Sequence, residues 1–148
     1  MRVLGIDYGG RRIGLALSDA TGTLASPWRR LERPPSETAA LAMLTGVIEG
    51  LKGDDDGLEA VVVGWPRRLD GRSTDQTRIV ERLAPALEAR IGLSVVLQDE
   101  RLSSHEADLR LSEGGERNWR ARKRKLDAAA AAVILQDYLD QRRPGRHP

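Results

Sequence analysis

The chain has 148 residues, a length that predicts one globular domain. It contains no cysteine, which excludes a disulfide framework, a thiolate metal site and a thiol nucleophile. Its formal net charge is only +2. The sequence shows neither a signal-peptide pattern nor an apolar stretch long enough to span a bilayer, so we expect a cytoplasmic protein without a membrane partner.

The first third of the chain predicts three antiparallel strands. Residues 3–7 and 13–18 are apolar runs joined by a tight turn at residues 9–11, a pattern typical of a β-hairpin. Residues 24–31 predict a third strand. Because Pro27 cannot donate a ladder hydrogen bond, we expect this strand at an edge of the sheet.

The middle of the chain alternates helices with buried strands. Ser36 predicts the N-cap of a first helix, and Ser73 or Thr74 that of a second. Continuous apolar runs at residues 60–63 and 93–97 are typical of strands that are buried on both faces. The loop at residues 67–72, between the first of these strands and the second helix, is basic.

The remaining residues predict a short helix at 103–111, a basic loop at Gly114-Gly115 and a last helix from about residue 125 to 141. We therefore predict one domain over residues 1–141 and a basic, disordered tail over residues 142–148. An antiparallel meander followed by alternating helices and strands predicts an α/β fold: a mixed five-stranded sheet with helices on both faces.

Three carboxylates occupy places where an unpaired charge would be costly. Asp7 and Glu100 end apolar strands, and Asp127 opens the alanine-rich last helix. Alanines let this helix approach the sheet closely, so we expect Asp127 to lie near Asp7. Carboxylates that converge repel one another unless cations intervene, and Mg²⁺ and Mn²⁺ take oxygen ligands. The trio predicts a site for one or two of these ions.

Clustered arginines predict binding to a phosphate-bearing partner, because the guanidinium fork suits phosphate oxygens. Trp119 is a candidate for stacking on an unpaired base, whereas Trp65 is expected to pack in a core that lacks phenylalanine. The candidate nucleic-acid-binding cations are Arg12, Arg67, Arg68, Arg72, Arg101, Arg120, Arg122, Lys123, Arg124 and Lys125.

The segments around the three acids resemble the motifs of the YqgF/RuvX family. The matching segments, in order, are residues 5–9 with 12–19, 63–66 with 70–71, 99–104, and 125–130. The resemblance implies an RNase H-like fold and assigns the catalytic, metal-binding acids to Asp7, Glu100 and Asp127. None of the departures, such as Trp65 in place of a usual leucine, removes an acid.

The family comprises Holliday junction resolvases and nucleases that process the precursor of small-subunit ribosomal RNA. The resemblance therefore implies a metal-dependent endonuclease that matures the 5′ end of precursor 16S ribosomal RNA. One alternative is cleavage of branched DNA, which requires a homodimer; the sequence leaves monomer and homodimer open. Another is a non-catalytic RNA-binding factor associated with ribosome assembly or transcription. The expected partners are RNA and, as an alternative, branched or single-stranded DNA. The three intact acids favour an enzyme over a pure binding factor, because a protein that only binds RNA gains nothing from carboxylates that repel phosphate.

Overall fold

The computed structural model describes residues 1–66, 70–99 and 119–142, and for residues 119–127 it describes the helix backbone alone. No helix in these ranges has the length and apolar character that crossing a membrane requires. The elements within them are β1 (Arg2–Tyr8), β2 (Arg12–Ser18), β3 (Ala25–Glu32), α1 (Glu37–Lys52), β4 (Leu58–Trp65), α2 (Asp75–Ile91), β5 (Ser94–Asp99) and α3 (Trp119–Arg142).

The strands form one mixed sheet in the order β3-β2-β1-β4-β5. β1 and β2 form the predicted antiparallel hairpin, and β3 pairs antiparallel with β2 at the edge of the sheet. β4 pairs parallel with β1, and β5 pairs parallel with β4. The predicted antiparallel meander with added parallel strands is therefore confirmed.

Side chains alternate between the two faces of the sheet, and helices cover both faces. Leu4 and Ile6 of β1 belong to the core beneath α1 and α2. Val3, one residue earlier, belongs to a second core that includes Ile134 and Leu135 of α3. Both cores are largely aliphatic, although Tyr8 belongs to the first and Tyr138 packs against the second. The prediction of helices on both faces is confirmed.

The starts of α1 and α2 follow local capping chemistry. The Ser36 Oγ accepts a hydrogen bond from the backbone N–H of Ala39 at 3.0 Å. Of the two candidates for the second cap, the structure selects Thr74: its hydroxyl accepts from the Thr77 N–H, while the Thr77 hydroxyl accepts from the Thr74 N–H.

The last helix differs from its prediction. It begins at Trp119 rather than near residue 125, because no glycine or proline interrupts a run of good helix formers from there to Asp127. Asp127 therefore lies two turns inside the helix, Trp119 starts a helix rather than lying in a loop, and Arg142 ends the helix rather than starting the tail. The predicted helix at 103–111, the loop at Gly114-Gly115 and the tail from residue 143 lie outside the described residues.

Candidate functional site

Asp7 lies on the face of the sheet that α3 covers. Its neighbours Ile6 and Tyr8 belong to the core beneath α1 and α2. Strand alternation therefore gives Asp7 the opposite face, which it shares with Val3 and Gly5. The side chain is half-buried, at the end of a strand whose apolar residues are fully buried. A rigid, central strand thus holds the first of the predicted acids.

The strand residues on either side of Asp7 are both glycines. Asp7 pairs with Gly14 of β2. On the other side Ile6 pairs with Val63, so the next residue of β4, Gly64, stands beside Asp7. Glycine has no side chain, so neither neighbouring strand places a side chain next to the Asp7 carboxylate on this face.

This alignment extends across all five strands of the described sheet. Gly14 pairs outward with Arg30 of β3, and Gly64 pairs outward with Gln98 of β5. We call the resulting line of same-face residues, Arg30, Gly14, Asp7, Gly64 and Gln98, the Asp7 row. The row therefore has an acid in the centre, a glycine on each side of it and one polar residue at each end.

The helix α3 runs antiparallel to β1 over this face. Its last residue, Arg142, forms an ion pair with Glu59 at the start of β4, with 3.1 Å between the Nη2 and Oε1 atoms. Midway along β1, Gly5 lies against Ala131 and Leu135. The helix backbone at Asp127 is one turn, about 6 Å, further toward the Asp7 end of the strand than it is at Ala131.

The acid before Glu100 lies on the wrong face to join Asp7. Asp99 pairs with Trp65. Two residues earlier on the same strands, Val63 belongs to the core beneath α1 and α2, and Leu97 packs against it. Asp99 and Trp65 therefore lie on the α1 and α2 face of the sheet. Trp65 is half-buried on that face, which agrees with the predicted packing role. Glu100 itself lies outside the described residues.

Two of the predicted phosphate-binding arginines have described side chains. Arg12 pairs across the strands with Glu32 and shares the face of Asp7. Arg72 is exposed in the connection before α2, where its Nε lies 3.5 Å from the Asp70 carboxylate. Arg67, Arg68 and Arg101 lie outside the described residues, and so do the side chains of Asp127, Trp119, Arg120, Arg122, Lys123, Arg124 and Lys125, whose backbone forms the first part of α3.

Arg33, which the sequence does not single out as a functional residue, fixes the turn that follows Asp7. Its Nη1 donates a hydrogen bond to the Gly9 carbonyl at 2.8 Å, and its guanidinium lies 4.4 Å from the centre of the Tyr8 ring. Burial raises the pKa of Tyr8, an effect that the Arg33 cation opposes in part. No local sequence signal reveals a side chain that reaches back 24 residues.

Asp7 is of the residue type that a hard divalent cation takes as a ligand. Asp7 offers carboxylate oxygens, which Mg²⁺ and Mn²⁺ prefer, and the glycines at positions 14 and 64 place no side chain next to it. Among the described side chains, no group of three His, Asp or Glu residues could hold a metal ion. Glu100 and Asp127, the other two predicted ligands, are not part of that set.

The sequence is similar to known proteins along nearly its whole length. Residues 1–141 match the model of a family described as RuvX: Holliday junction resolvase. A protein of Maridesulfovibrio salexigens is 42% identical over 140 residues, which cover 94% of this chain and 98% of that one. A protein of Anaeromyxobacter dehalogenans (strain 2CP-1) is 41% identical over 144 residues, covering 97% and 100%. Both carry the name "Putative pre-16S rRNA nuclease".

Among solved structures, the fold is similar to that of Thermus thermophilus RuvC. The TM-score is 0.56 at 16% sequence identity, and the match covers 96% of each chain. The same protein in complex with a Holliday junction substrate gives a TM-score of 0.53 at 17% identity, covering 99% of this chain and 97% of that one. The predicted RNase H-like fold is thereby confirmed.

Proposed function

The chain belongs to the RuvX family, and from this membership we propose that the protein is a metal-dependent endonuclease that hydrolyses phosphodiester bonds in the 5′ maturation of precursor 16S ribosomal RNA. The observation that carries the proposal is the match of residues 1–141 to this family, together with an Asp7 that has a glycine beside it on each neighbouring strand. The names of the relatives favour RNA over DNA as the substrate.

In this proposal Asp7, Glu100 and Asp127 share the role of metal ligands. If the strand alternation continued one residue past Asp99, Glu100 would have the parity of Gln98 and would share the face of Asp7. The antiparallel course of α3 brings the backbone at Asp127 toward the Asp7 end of β1. These two relationships support a convergence of the three acids on one face.

When bound there, one or two Mg²⁺ or Mn²⁺ ions would supply Lewis-acid stabilisation of charge on the phosphate and a lowered pKa for an attacking water. The protein itself contributes position. Asp7 is held by a central strand, and Gly14 and Gly64 let a nucleic-acid backbone approach the sheet beside it. Hydrolysis then joins a water oxygen to phosphorus and breaks one P–O bond.

The basic part of α3 supports binding of the substrate on the same side. From Ala131 the helix continues about 18 Å to Trp119, whereas β1 continues only about 10 Å from Gly5 to Tyr8. Residues 119–125, which carry five basic side chains, therefore extend past the end of the sheet near Asp7. We infer that they contact the phosphate backbone of the substrate.

The test compares Asp7→Asn with Asp99→Asn, a strand-end acid on the opposite face. A 5′-extended 16S precursor transcript and a four-way DNA junction are each incubated with Mg²⁺ and with Mn²⁺. We expect the wild type to cleave the RNA, Asp7→Asn to lose at least about 100-fold in rate, and Asp99→Asn to keep most activity. An inactive wild type on both polymers would reject the nuclease proposal in favour of a binding factor.

Cleavage of the junction alone would instead favour the DNA function that the family description names. That reaction requires two active sites that face a symmetric junction, and hence a homodimer. The mass of the protein in solution, with and without the junction, separates the homodimer from the monomer.

A further inference from the structure

Two arginines beside Asp7 share one carboxylate. The Nη1 atom of Arg12 lies 3.3 Å from one oxygen of Glu32, and the Nη2 atom of Arg30 lies 3.4 Å from the other. Arg12 is opposite Glu32 on the neighbouring strand, and Arg30 precedes it by two residues on the same strand. All three side chains therefore stand on one face, at one corner of the sheet.

The arginines are held more firmly than the acid between them. The side chains of Arg12 and Arg30 are 26% and 21% exposed, whereas that of Glu32 is 72% exposed. Exposed ion pairs contribute little net stability, so Glu32 can turn outward at small cost while both guanidinium groups stay in place. Within the described part of the chain, the buried Nε of Arg12 has no hydrogen-bond partner.

Both cations are close to Asp7 on its own face. Arg30 is in the Asp7 row, two strand spacings or about 10 Å from Asp7 between Cα atoms, and only Gly14 stands between them. Arg12 is the diagonal neighbour of Asp7, at about 7–8 Å between Cα atoms. Long guanidinium side chains at these positions can contact a group that lies next to the Asp7 carboxylate.

A groove continues from this corner along the tip of the β1–β2 hairpin. Its cavity measures about 480 Å³, and Arg11, Arg12, Arg33 and Glu32 line it together with Gly10 and Gln76. Three of these lining residues are cations and one is an anion. The groove is therefore suited to an extended anionic chain that passes the tip of the β1–β2 hairpin.

We propose that Arg12 and Arg30 form a binding site for a phosphodiester adjacent to the one cleaved at Asp7, and that the Glu32 carboxylate occupies this site in the free protein until substrate phosphate replaces it. This inference rests on the proposed nuclease function. A carboxylate and a phosphodiester each carry one negative charge and present oxygens to guanidinium donors, so the exchange conserves charge and hydrogen bonding.

The test measures binding rather than cleavage, with a fluorescent single-stranded RNA in EDTA over a series of salt concentrations. We expect Arg30→Ala to weaken binding about 5- to 10-fold at low salt and to lower the slope of log K against log [salt] by about 0.7, the value for one contact on a single strand. Arg30→Lys keeps the charge but loses the planar guanidinium group, so its affinity and its salt slope should lie between those of the wild type and those of Arg30→Ala. Glu32→Gln should tighten binding about 2- to 5-fold.

Arg29→Ala is the matched control. Arg29 is the adjacent residue of β3, pairs with Leu15 on the other face and stacks on Trp28 at 5.3 Å. We expect less than a 2-fold change in affinity and an unchanged slope. Equal effects of Arg29→Ala and Arg30→Ala, or a Glu32→Gln variant that binds no more tightly than the wild type, would overturn the proposal.

The two proposals fail separately. If Asp7→Asn abolishes cleavage while Arg30→Ala binds RNA as well as the wild type, the proposed phosphodiester site is wrong and the proposed nuclease function is supported. If the wild type cleaves neither polymer while Arg30→Ala still binds RNA more weakly and with a lower salt slope than Arg29→Ala, the phosphodiester site is supported and the nuclease function is wrong. A thermal melt of each variant identifies any loss of affinity that comes from unfolding.

Discussion

Gly5 of β1 and Leu135 of α3 approach so closely that a β-carbon on Gly5 would lie 2.8 Å from the β-carbon of Leu135. The same atom would lie 3.1 Å from the Ala131 carbonyl oxygen. Glycine at this position therefore allows α3 to pack closely on β1 over the face of the sheet that carries Asp7. Asp7 lies two residues further along β1, and Asp127 one turn further along α3.

We predict that Gly5→Ala lowers the free energy of unfolding by about 1–3 kcal/mol, because the added methyl group overpacks the contact with α3. It should also reduce nuclease activity, since any outward shift of the helix separates Asp127 from Asp7. Gly46→Ala in α1 is the control: a β-carbon there meets nothing within 4 Å, so it should stabilise the helix by about 0.5–1 kcal/mol. Urea denaturation measures both, and equal effects would contradict the close-contact explanation.

Removal of the Arg33 side chain should loosen the turn after Asp7. Arg33→Ala loses the hydrogen bond to the Gly9 carbonyl and the contact with the Tyr8 ring, and we expect a loss of about 1–2 kcal/mol in the free energy of unfolding. Arg78→Ala, which removes an exposed arginine of α2, should change it by less than about 0.5 kcal/mol. Thermal and urea melts provide the comparison. An Arg33→Ala variant as stable as the wild type would show that the turn after Asp7 does not depend on the Arg33 side chain.

Asp19 should make stability depend on pH at the acidic end. Its carboxylate accepts hydrogen bonds from the Thr21 hydroxyl and from the backbone N–H groups of Thr23 and Leu24, which lower its pKa to about 2 from an ordinary 3.8. A lowered pKa stabilises the fold at every pH above the ordinary value, and this contribution is lost as the pH falls through about 2.

We therefore expect Asp19→Ala to melt below the wild type at pH 5–7, with a difference that shrinks between pH 4 and pH 2. Asp56→Ala, which removes another exposed acid from the loop before β4, should differ little from the wild type throughout. Melting temperatures in a pH series give the measurement. A difference that stays constant down to pH 2 would mean that the Asp19 charge is not what the turn requires.

Neutralising Arg122 and Arg124 together should weaken nucleic-acid binding. Two lost phosphate contacts predict a salt slope lower by about 1.4 on single strands and about 1.8 on duplex DNA. The control is the double variant of Arg78 and Arg90, exposed arginines of α2 on the other face of the sheet. Filter binding at several salt concentrations measures the slopes, and equal slopes for the two double variants would remove α3 from the binding surface.

Features that depend on neighbouring residues were predictable from the sequence. The caps at Ser36 and Thr74 follow from side chains that bond backbone groups three residues away, and the strands follow from apolar runs and alternation. Asp7 was found in the same way, because an acid at the end of a buried strand has few structural reasons to be there. Glu100, at the end of another apolar run, and Asp127, in the alanine-rich helix, were picked on similar grounds, and the family motifs agree with that choice; their roles as ligands remain a prediction.

The register between strands was not predictable, because it is set by pairing over long separations. The sequence shows glycines at positions 14 and 64 and an arginine at 30, but only pairing across the sheet aligns them with Asp7. Likewise Asp99 and Glu100 look equivalent in the sequence, and the pairing of Asp99 with Trp65 separates Asp99 from Asp7. The early start of α3 was missed because a run of charged residues fits a helix as well as a loop.

The sequence by itself determined the strands, the first two helices, the Ser36 cap and the acid at the end of the central strand, since each depends on interactions within a few residues along the chain. The tertiary structure decided what surrounds that acid: two glycines beside it, the approach of α3 over Gly5, and the pair of arginines that share Glu32. Packing and strand register bring these groups together from separate segments, and no local pattern encodes that juxtaposition.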